Sequence, residues 1–294
     1  MAVRKFWLIN GQGKKYDLTD FKDVFLNTPT GLGSSNTVTV TRLGNSQKLN
    51  SVTDNLEPFG GELLFQNSED NALAYDSYNG FVRFISILPL YFHYQTPAMS
   101  NENYYREVVM NSIEKGEVDE ETSLLRCNVS FTPLTMWKND NQTVVEAGAA
   151  KNTGKKYKLN RKYSYSSAGY EDIKLINNSP LNVPMEIEII GRCKNPSFTL
   201  YDRSGSVYGV CRLIGTFDYV YINSDDRLEE IKLSLDDAWL NNAVNYQDFT
   251  VGIPNQAYLT FCYLKPGTSG MKFTFAEEFD GYVRVGWRDE YATV

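Results

Sequence analysis

Hydrophobic and polar residues alternate along most of this chain. Thr37-Val38-Thr39-Val40-Thr41 changes character at every step, and so does Arg126-Cys127-Asn128-Val129-Ser130-Phe131-Thr132. Met185, Ile187 and Ile189 alternate with Glu186 and Glu188, and Met271, Phe273 and Phe275 repeat the pattern. Period two puts one set of side chains on a buried face and the other in water, the pattern of antiparallel sheets. Turn signals punctuate it at Asn10-Gly11, Gly44-Asn45, Asp202-Arg203-Ser204-Gly205, Pro266-Gly267 and Asp280-Gly281. One stretch keeps helical period. Ala74, Tyr78, Phe81, Ile85 and Leu88 fall on one face, Asn67 or Ser68 can cap its start, and Pro89 stops it. Asn79-Gly80 permits a break inside it. A shorter helix is predicted from Ser234 to Ala243.

The spacing predicts a mainly β chain with a division after Trp137. Residues 1–138 form a first domain, 139–164 a small and polar linker with no strand up to Thr153, and 165–294 a second domain. With 294 residues the chain has room for two cores. The first part carries 12 basic and 16 acidic residues, and the remainder 17 and 20, so the net charge of −7 is shared evenly. A polyanion reader is therefore not expected.

Chemistry-bearing residues are sparse. The single histidine, His93, rules out catalysis that needs two imidazoles. A strand histidine with a satisfied hydrogen bond is its expected role. Cys127, Cys193, Cys211 and Cys262 lie far apart among apolar neighbours, as small buried thiols in a reducing cytoplasm would. The start of the chain has no apolar h-region, and no segment is apolar enough to span a membrane. Acidic doublets at Asp119-Glu120-Glu121, Asp225-Asp226, Asp236-Asp237 and Glu277-Glu278 sit at turns and helix starts, where solvated acids are ordinary. Gly31-Leu32-Gly33 precedes a strand, so it reads as a turn with one glycine at positive φ, not a phosphate cradle. No catalytic, cofactor or metal residue is assigned.

Aromatic residues make up 14% of the chain, and they bear on assembly. Tyr91, Phe92 and Tyr94, with Tyr104 and Tyr105, are candidate interface anchors. The acid-free basic stretch containing Lys155, Lys156 and Lys158 reads as a segment that docks on an acidic neighbour such as the run Glu114 to Glu121. Trp239 and Trp287 are candidates for stacking on a glycan.

The order of several segments resembles the phage distal tail protein family of long non-contractile tails. Phe6-Trp7-Leu8-Ile9-Asn10-Gly11, Pro29-Thr30-Gly31-Leu32-Gly33, Gly61-Glu62-Leu63-Leu64-Phe65, Tyr104-Tyr105-Arg106-Glu107-Val108 and Leu134-Thr135-Met136-Trp137 carry it in the first part. Asn178-Ser179-Pro180, Pro184-Met185-Glu186-Ile187 and Tyr219-Val220-Tyr221-Ile222-Asn223-Ser224 carry it in the second. The resemblance implies a β-sandwich-like N-terminal domain with one α-helix, then a galectin-like antiparallel sandwich. It implies a homohexameric ring at the distal end of the virion tail, synthesised in the host cytoplasm. That ring would join the major tail tube protein to a tail-associated hub protein and a receptor-binding protein. It implies no cofactor, no nucleic acid and no membrane insertion. Galectins bind sugar through a His-Asn-Pro-Arg cluster, and residues 139–294 contain no histidine. A cell-wall glycan adhesin is the alternative reading, and a glycoside hydrolase a third.

Overall fold

The computed structural model describes residues 4–19, 24–66, 71–96, 103–119, 121–148, 173–234, 244–245, 261–277, 279 and 281–293. They fall into two units, 1–141 with 290–294, and 142–289. In chain order the first unit contains β1 (Lys5–Ile9), β2 (Lys15–Asp17), β3 (Val24–Thr30), β4 (Asn36–Leu43), β5 (Ser46–Asp54) and β6 (Phe59–Gln66). Helix α1 (Asn71–Ile85) follows, then β7 (Leu90–Gln95), β8 (Tyr104–Val118), β9 (Leu124–Pro133) and β10 (Trp137–Asn139). The second unit contains β11 (Thr143–Gly148), β12 (Ile173–Asn177), β13 (Val183–Lys194), β14 (Ser197–Asp202), β15 (Val207–Arg212) and β16 (Thr216–Asn223). It continues through β17 (Glu230–Ser234), β18 (Val244–Asn245), β19 (Tyr263–Leu264), β20 (Gly267–Thr274) and β21 (Tyr282–Trp287). The last strand, β22 (Glu290–Tyr291), belongs to the first unit and pairs with β10.

The main sheet of the first unit is antiparallel, in the order β2-β1-β7-β8-β9-β6-β3, with β10 beside β8 and β22 beside β10. β8 and β9 lie between β7 and β6, so a flat sheet would hold those strands roughly 14 Å apart at the usual strand spacing. Phe92 on β7 and Phe59 on β6 nevertheless have ring centroids 4.9 Å apart. The sheet therefore curls over itself, sandwich-like, and closes on Phe6, Phe59, Phe92, Phe131 and Trp137. Arg106 is buried in this core, its guanidinium 4.8 Å from the Trp137 ring and 5.3 Å from Phe59. Its Nε and one Nη donate to the Thr135 carbonyl at 3.3 Å. Burial lowers its pKa to about 10, so it keeps its charge at neutral pH.

α1 buries Ala74, Phe81 and Ile85, as its period predicts, and runs unbroken through Asn79-Gly80. It ends earlier than expected, at Ile85, and Leu88 is exposed. Two effects stop it. Pro89 has no N–H and pushes Leu88 away from helical φ/ψ. The Asn10-Gly11 turn then takes the freed carbonyls. Asn10 Nδ2 donates to Phe84 O at 3.3 Å, and Gly11 N donates to Ile87 O at 3.1 Å. Asn10 Oδ1 accepts from Gln12 N and Lys14 N, closing the turn beneath. A Cβ at Gly11 would lie 2.1 Å from Leu88 O, so only glycine allows this approach. The candidate cap at Asn67 or Ser68 and the second helix beyond Ser234 lie outside the described residues.

The second unit is a sandwich. A sheet ordered β11-β21-β13-β16-β17-β18 faces another ordered β12-β20-β14-β15. Met185, Ile187, Ile189, Val220 and Val285 from the first meet Leu175, Phe198, Leu200, Met271 and Phe273 from the second in one apolar core. β11 is a difference from the sequence reading, which expected no strand there. Val145 and Ala147 face the core while Glu146 turns out to Arg284, an alternation of four residues too short to register as a pattern. Residues 149–164 lie outside the described set.

Candidate assembly interface

Gly44-Asn45 forms the turn of a hairpin, β4–β5, that makes a sheet of its own. It is inserted between β3 and β6, which pair with each other at its root. Gly31 takes φ +74° there, the single positive-φ glycine expected of the Gly31-Leu32-Gly33 turn. The root is pinned by Asn55 N to Ser35 O at 2.9 Å and by Thr37 Oγ1 to Asn55 Oδ1 at 3.0 Å.

Within the hairpin Val38 stands opposite Val52, and Val40 opposite Leu49. An extra residue, Asn50, interrupts the register between these pairs and keeps all four aliphatic side chains on one face. Thr37, Thr39, Thr41, Ser51 and Thr53 take the other. The aliphatic four are 42–57% exposed, and every residue from Asn36 to Thr53 is open to solvent. A buried face was expected of this alternation, and the chain buries neither. Two strands alone are marginally stable in water. Among the described residues nothing covers the aliphatic side. The alternating strand is legible in the sequence, and the signal that marks it as half of an arm is a second strand after Gly44-Asn45, with no acid from Asn36 to Thr53 and with Arg42 and Lys48 as its charges.

The predicted aromatic anchors serve mostly inside the first unit. Phe92 is fully buried, Tyr94 stacks on Phe6 at 5.0 Å, and Tyr104 is buried with its ring edge-on to Tyr291 at 5.4 Å. Phe92 and Tyr104 are corrected from interface to core, because the curled sheet turns their side of β7 and β8 inward, while Tyr94 on the same side is half-buried at its edge. Tyr91 and Tyr105 lie on the opposite face, half-buried and in a T-shaped contact at 5.9 Å. Lys155, Lys156 and Lys158 lie outside the described residues.

His93 shares that opposite face. Its ring lies between Trp7, at 5.0 Å, and Tyr105, at 5.4 Å, and it is 6% exposed. Against the expected hydrogen bond, its Nδ1 is buried with no partner among the described residues, and the ring stacks on both neighbours. Burial lowers its pKa to about 4, with Asp140 pulling weakly the other way. A neutral imidazole so enclosed has no nucleophile to serve.

In the second unit Trp287 is 2% exposed and belongs to the core, so its face is closed to a sugar; this corrects its assignment as a stacking residue. It pairs across to Met185, whose side of β13 points inward. Trp239 lies outside the described residues. A cleft of about 290 Å³ lies on the outer face of this sheet, lined by Gln142, Val144, Glu146, Glu186, Glu188, Arg284 and Gly286. Arg284 clamps Glu146 through Nε at 3.0 Å and Glu188 through Nη1 at 3.0 Å. Gln142 donates to Glu186 at 3.0 Å. Arg284 and Gln142 hold these acids in place, and the acids do not form a separated acid and base.

The four cysteines are small buried thiols, as the sequence predicts, and all are free. Burial raises the Cys193 and Cys262 thiols to about 12, which keeps them protonated and inert. Asp119 accepts from Glu121 N and Thr122 N, and those bonds lower its pKa. Asp226 accepts from the Tyr263 hydroxyl, and Glu277 pairs with Lys194. Asp236, Asp237 and Glu278 lie outside the described residues. Among the described residues no group of His, Cys, Asp and Glu could hold a metal, and no helix is long and apolar enough to cross a membrane.

Residues 5–134 match the family described as distal tail protein, N-terminal domain. No curated protein matches the chain in sequence. Among solved structures, a chain of the phage P2 baseplate in its activated conformation with Ca is 16% identical, with TM-score 0.60 over 99% of this chain and 100% of that one. The same baseplate activated with Sr gives 16% identity and TM-score 0.61 over the same shares. The Dit (gp 19.1) protein of phage SPP1, described as a paradigm of the hub adsorption apparatus in phages infecting Gram-positive hosts, gives 10% identity and TM-score 0.63 over 97% and 99%. At these identities the structures establish a shared fold, and the family match extends over residues 5–134. Residues 5–134 are thus a distal tail protein N-terminal domain, carried in a fold that the chain shares with phage baseplate and hub chains.

Proposed function

We propose that six copies of this chain close into a ring at the distal end of the tail and act there by binding alone. The ring joins the tail tube to the hub protein and to the receptor-binding machinery. The observation that carries this reading is the β4–β5 hairpin, whose aliphatic face has no cover among the described residues. A ring needs a patch on each copy that meets a different patch on the next. A projecting amphipathic arm is such a patch. The residual exposure of Val38, Val40, Leu49 and Val52 leaves about 1 kcal/mol per side chain to be gained on covering them. That is modest for one copy and is repeated at every interface of a closed ring.

The curled sheet with α1 then serves as the rigid body of each ring segment, and the second unit as the module offered to rim partners. Negative-stain images and native mass spectrometry of the purified chain test the reading. Six-membered annular particles are expected, alone or at the tip of intact tails. A chain that stays monomeric at high micromolar concentration, together with tails whose tips carry no ring, overturns it. Replacing residues 36–54 by a short Gly-Ser connection is expected to abolish rings and leave a folded monomer.

A second reading, a glycan-binding module, has one observation in its favour, the polar cleft around Arg284. Titration with cell-wall fragments tests it, and saturable binding lost in Arg284→Ala is the expected result if it holds.

A further inference from the structure

The open hairpin needs a receiving surface, and the first unit contains one of matching chemistry. β8 is 15 residues long. β7 pairs with it only from Tyr104 to Val108, while β9 runs along its other edge from Val108 to Val118. β7 starts directly after Pro89, which has no N–H with which to prolong the ladder. From Val109 to Glu114, no strand among the described residues pairs with the edge that β7 leaves behind. Such an edge is a template for an incoming strand.

The surroundings of that edge are acidic. Glu114, Glu117, Asp119 and Glu121 are all exposed there. Lys115 stands among them with its Nζ 4.5 Å from the Tyr75 ring, and Arg126 is engaged by Glu62 at 3.3 Å. Charge on an open edge repels most strands and so limits aggregation. It admits a strand of opposite charge. The stretch from Asn36 to Thr53 contains Arg42 and Lys48 and no acid, in a chain whose net charge is −7.

We infer that the β4–β5 hairpin of one copy docks on the acidic open edge of β8 in the next copy and extends its sheet. This rests on the ring reading and names the two patches that make the ring. One is an arm and the other an edge, so each copy gives one contact and receives one, the heterologous geometry that closes a circle. Main-chain pairing supplies a general attraction. The charges reject a like-charged strand and set orientation.

Photo-crosslinking tests it. The full-length chain with Lys48→p-benzoylphenylalanine is irradiated as rings, purified or in tail particles, and the acceptor peptide is read by mass spectrometry. Acceptors within residues 109–121 of another copy are expected. Rings whose acceptors lie elsewhere overturn this inference and leave the ring reading standing. Absence of rings in both the purified chain and tails overturns the ring reading itself. Charge exchange gives an independent arm. Arg42→Glu with Lys48→Glu is expected to weaken association by about tenfold or more at low salt. Adding Glu114→Lys with Glu121→Lys is expected to restore it. Association left unchanged by the first pair, or not recovered with the second, overturns the inference.

Discussion

Strands β4 and β13 have the same period and opposite fates. β13 alternates buried and half-buried positions from Val183 to Ile190, with Met185, Ile187 and Ile189 sealed beneath a second sheet. β4 alternates threonine with valine just as regularly, and every one of its residues is exposed. The pattern of a strand thus states that one face should leave the water. It does not state which molecule supplies the cover. In β13 the cover comes from the same chain, and we propose that in β4 it comes from another copy.

That contrast can be broken or sharpened by substitution. Ile187→Asp is expected to have the largest effect. An unpaired carboxylate in a sealed core costs at least about 4 kcal/mol and should unfold the second unit. Val40→Asp places the same charge in the same pattern and is expected to change monomer stability by less than about 0.5 kcal/mol while ring formation is lost. Thermal unfolding of both variants beside native mass spectrometry checks the pair. A Val40→Asp chain that melts like Ile187→Asp would show that the hairpin is covered within its own copy.

Between these extremes stands His93, buried on a face where half-buried tyrosines are its neighbours. Its folded pKa is about 4, below the ordinary 6.5. The unfolded chain therefore takes up the proton first as pH falls. The contribution is complete above about pH 6.5 and is lost progressively toward pH 4, up to about 3 kcal/mol. His93→Phe keeps a ring between Trp7 and Tyr105 and should flatten this part of the pH dependence. Denaturant titrations at pH 7 and pH 4.5 measure it. An unchanged slope would mean that the imidazole is hydrated in solution.

Asn10→Ala is the smaller perturbation of the first unit. It removes the Phe84 contact and the two acceptor bonds of the turn, for a cost of about 1–2 kcal/mol. Loss of protection at the C-terminal end of α1 in hydrogen exchange should accompany it, with ring assembly intact. A variant as stable as the parent would place the helix stop on Pro89 alone.

Much of this protein was legible from its residues. Period-two runs in β9, β13 and β20, the helix around Phe81, the inert cysteines and the turn at Gly31 all follow from side-chain size and backbone freedom, which act over a few neighbours. β11 was missed because only Val145 and Ala147 carry its inward face, and the small residues there resemble a linker. The stop of α1 at Ile85 was misplaced because it depends on Asn10, 74 positions away. Aromatic content suggests stickiness at Phe92 and Tyr104, yet their faces pack on Phe59, Trp137 and Tyr291, which no local pattern relates to them.

The sequence alone settled that the chain is β-rich and that residues 5–134 carry the pattern of a distal tail protein N-terminal domain. Those properties are local or cumulative, and each residue contributes without reference to distant ones. Only the tertiary structure decided which alternating strands found a cover and which did not. Burial is a property of what lies opposite a face, and what lies opposite is set by how the sheet curls and where the hairpin leaves it.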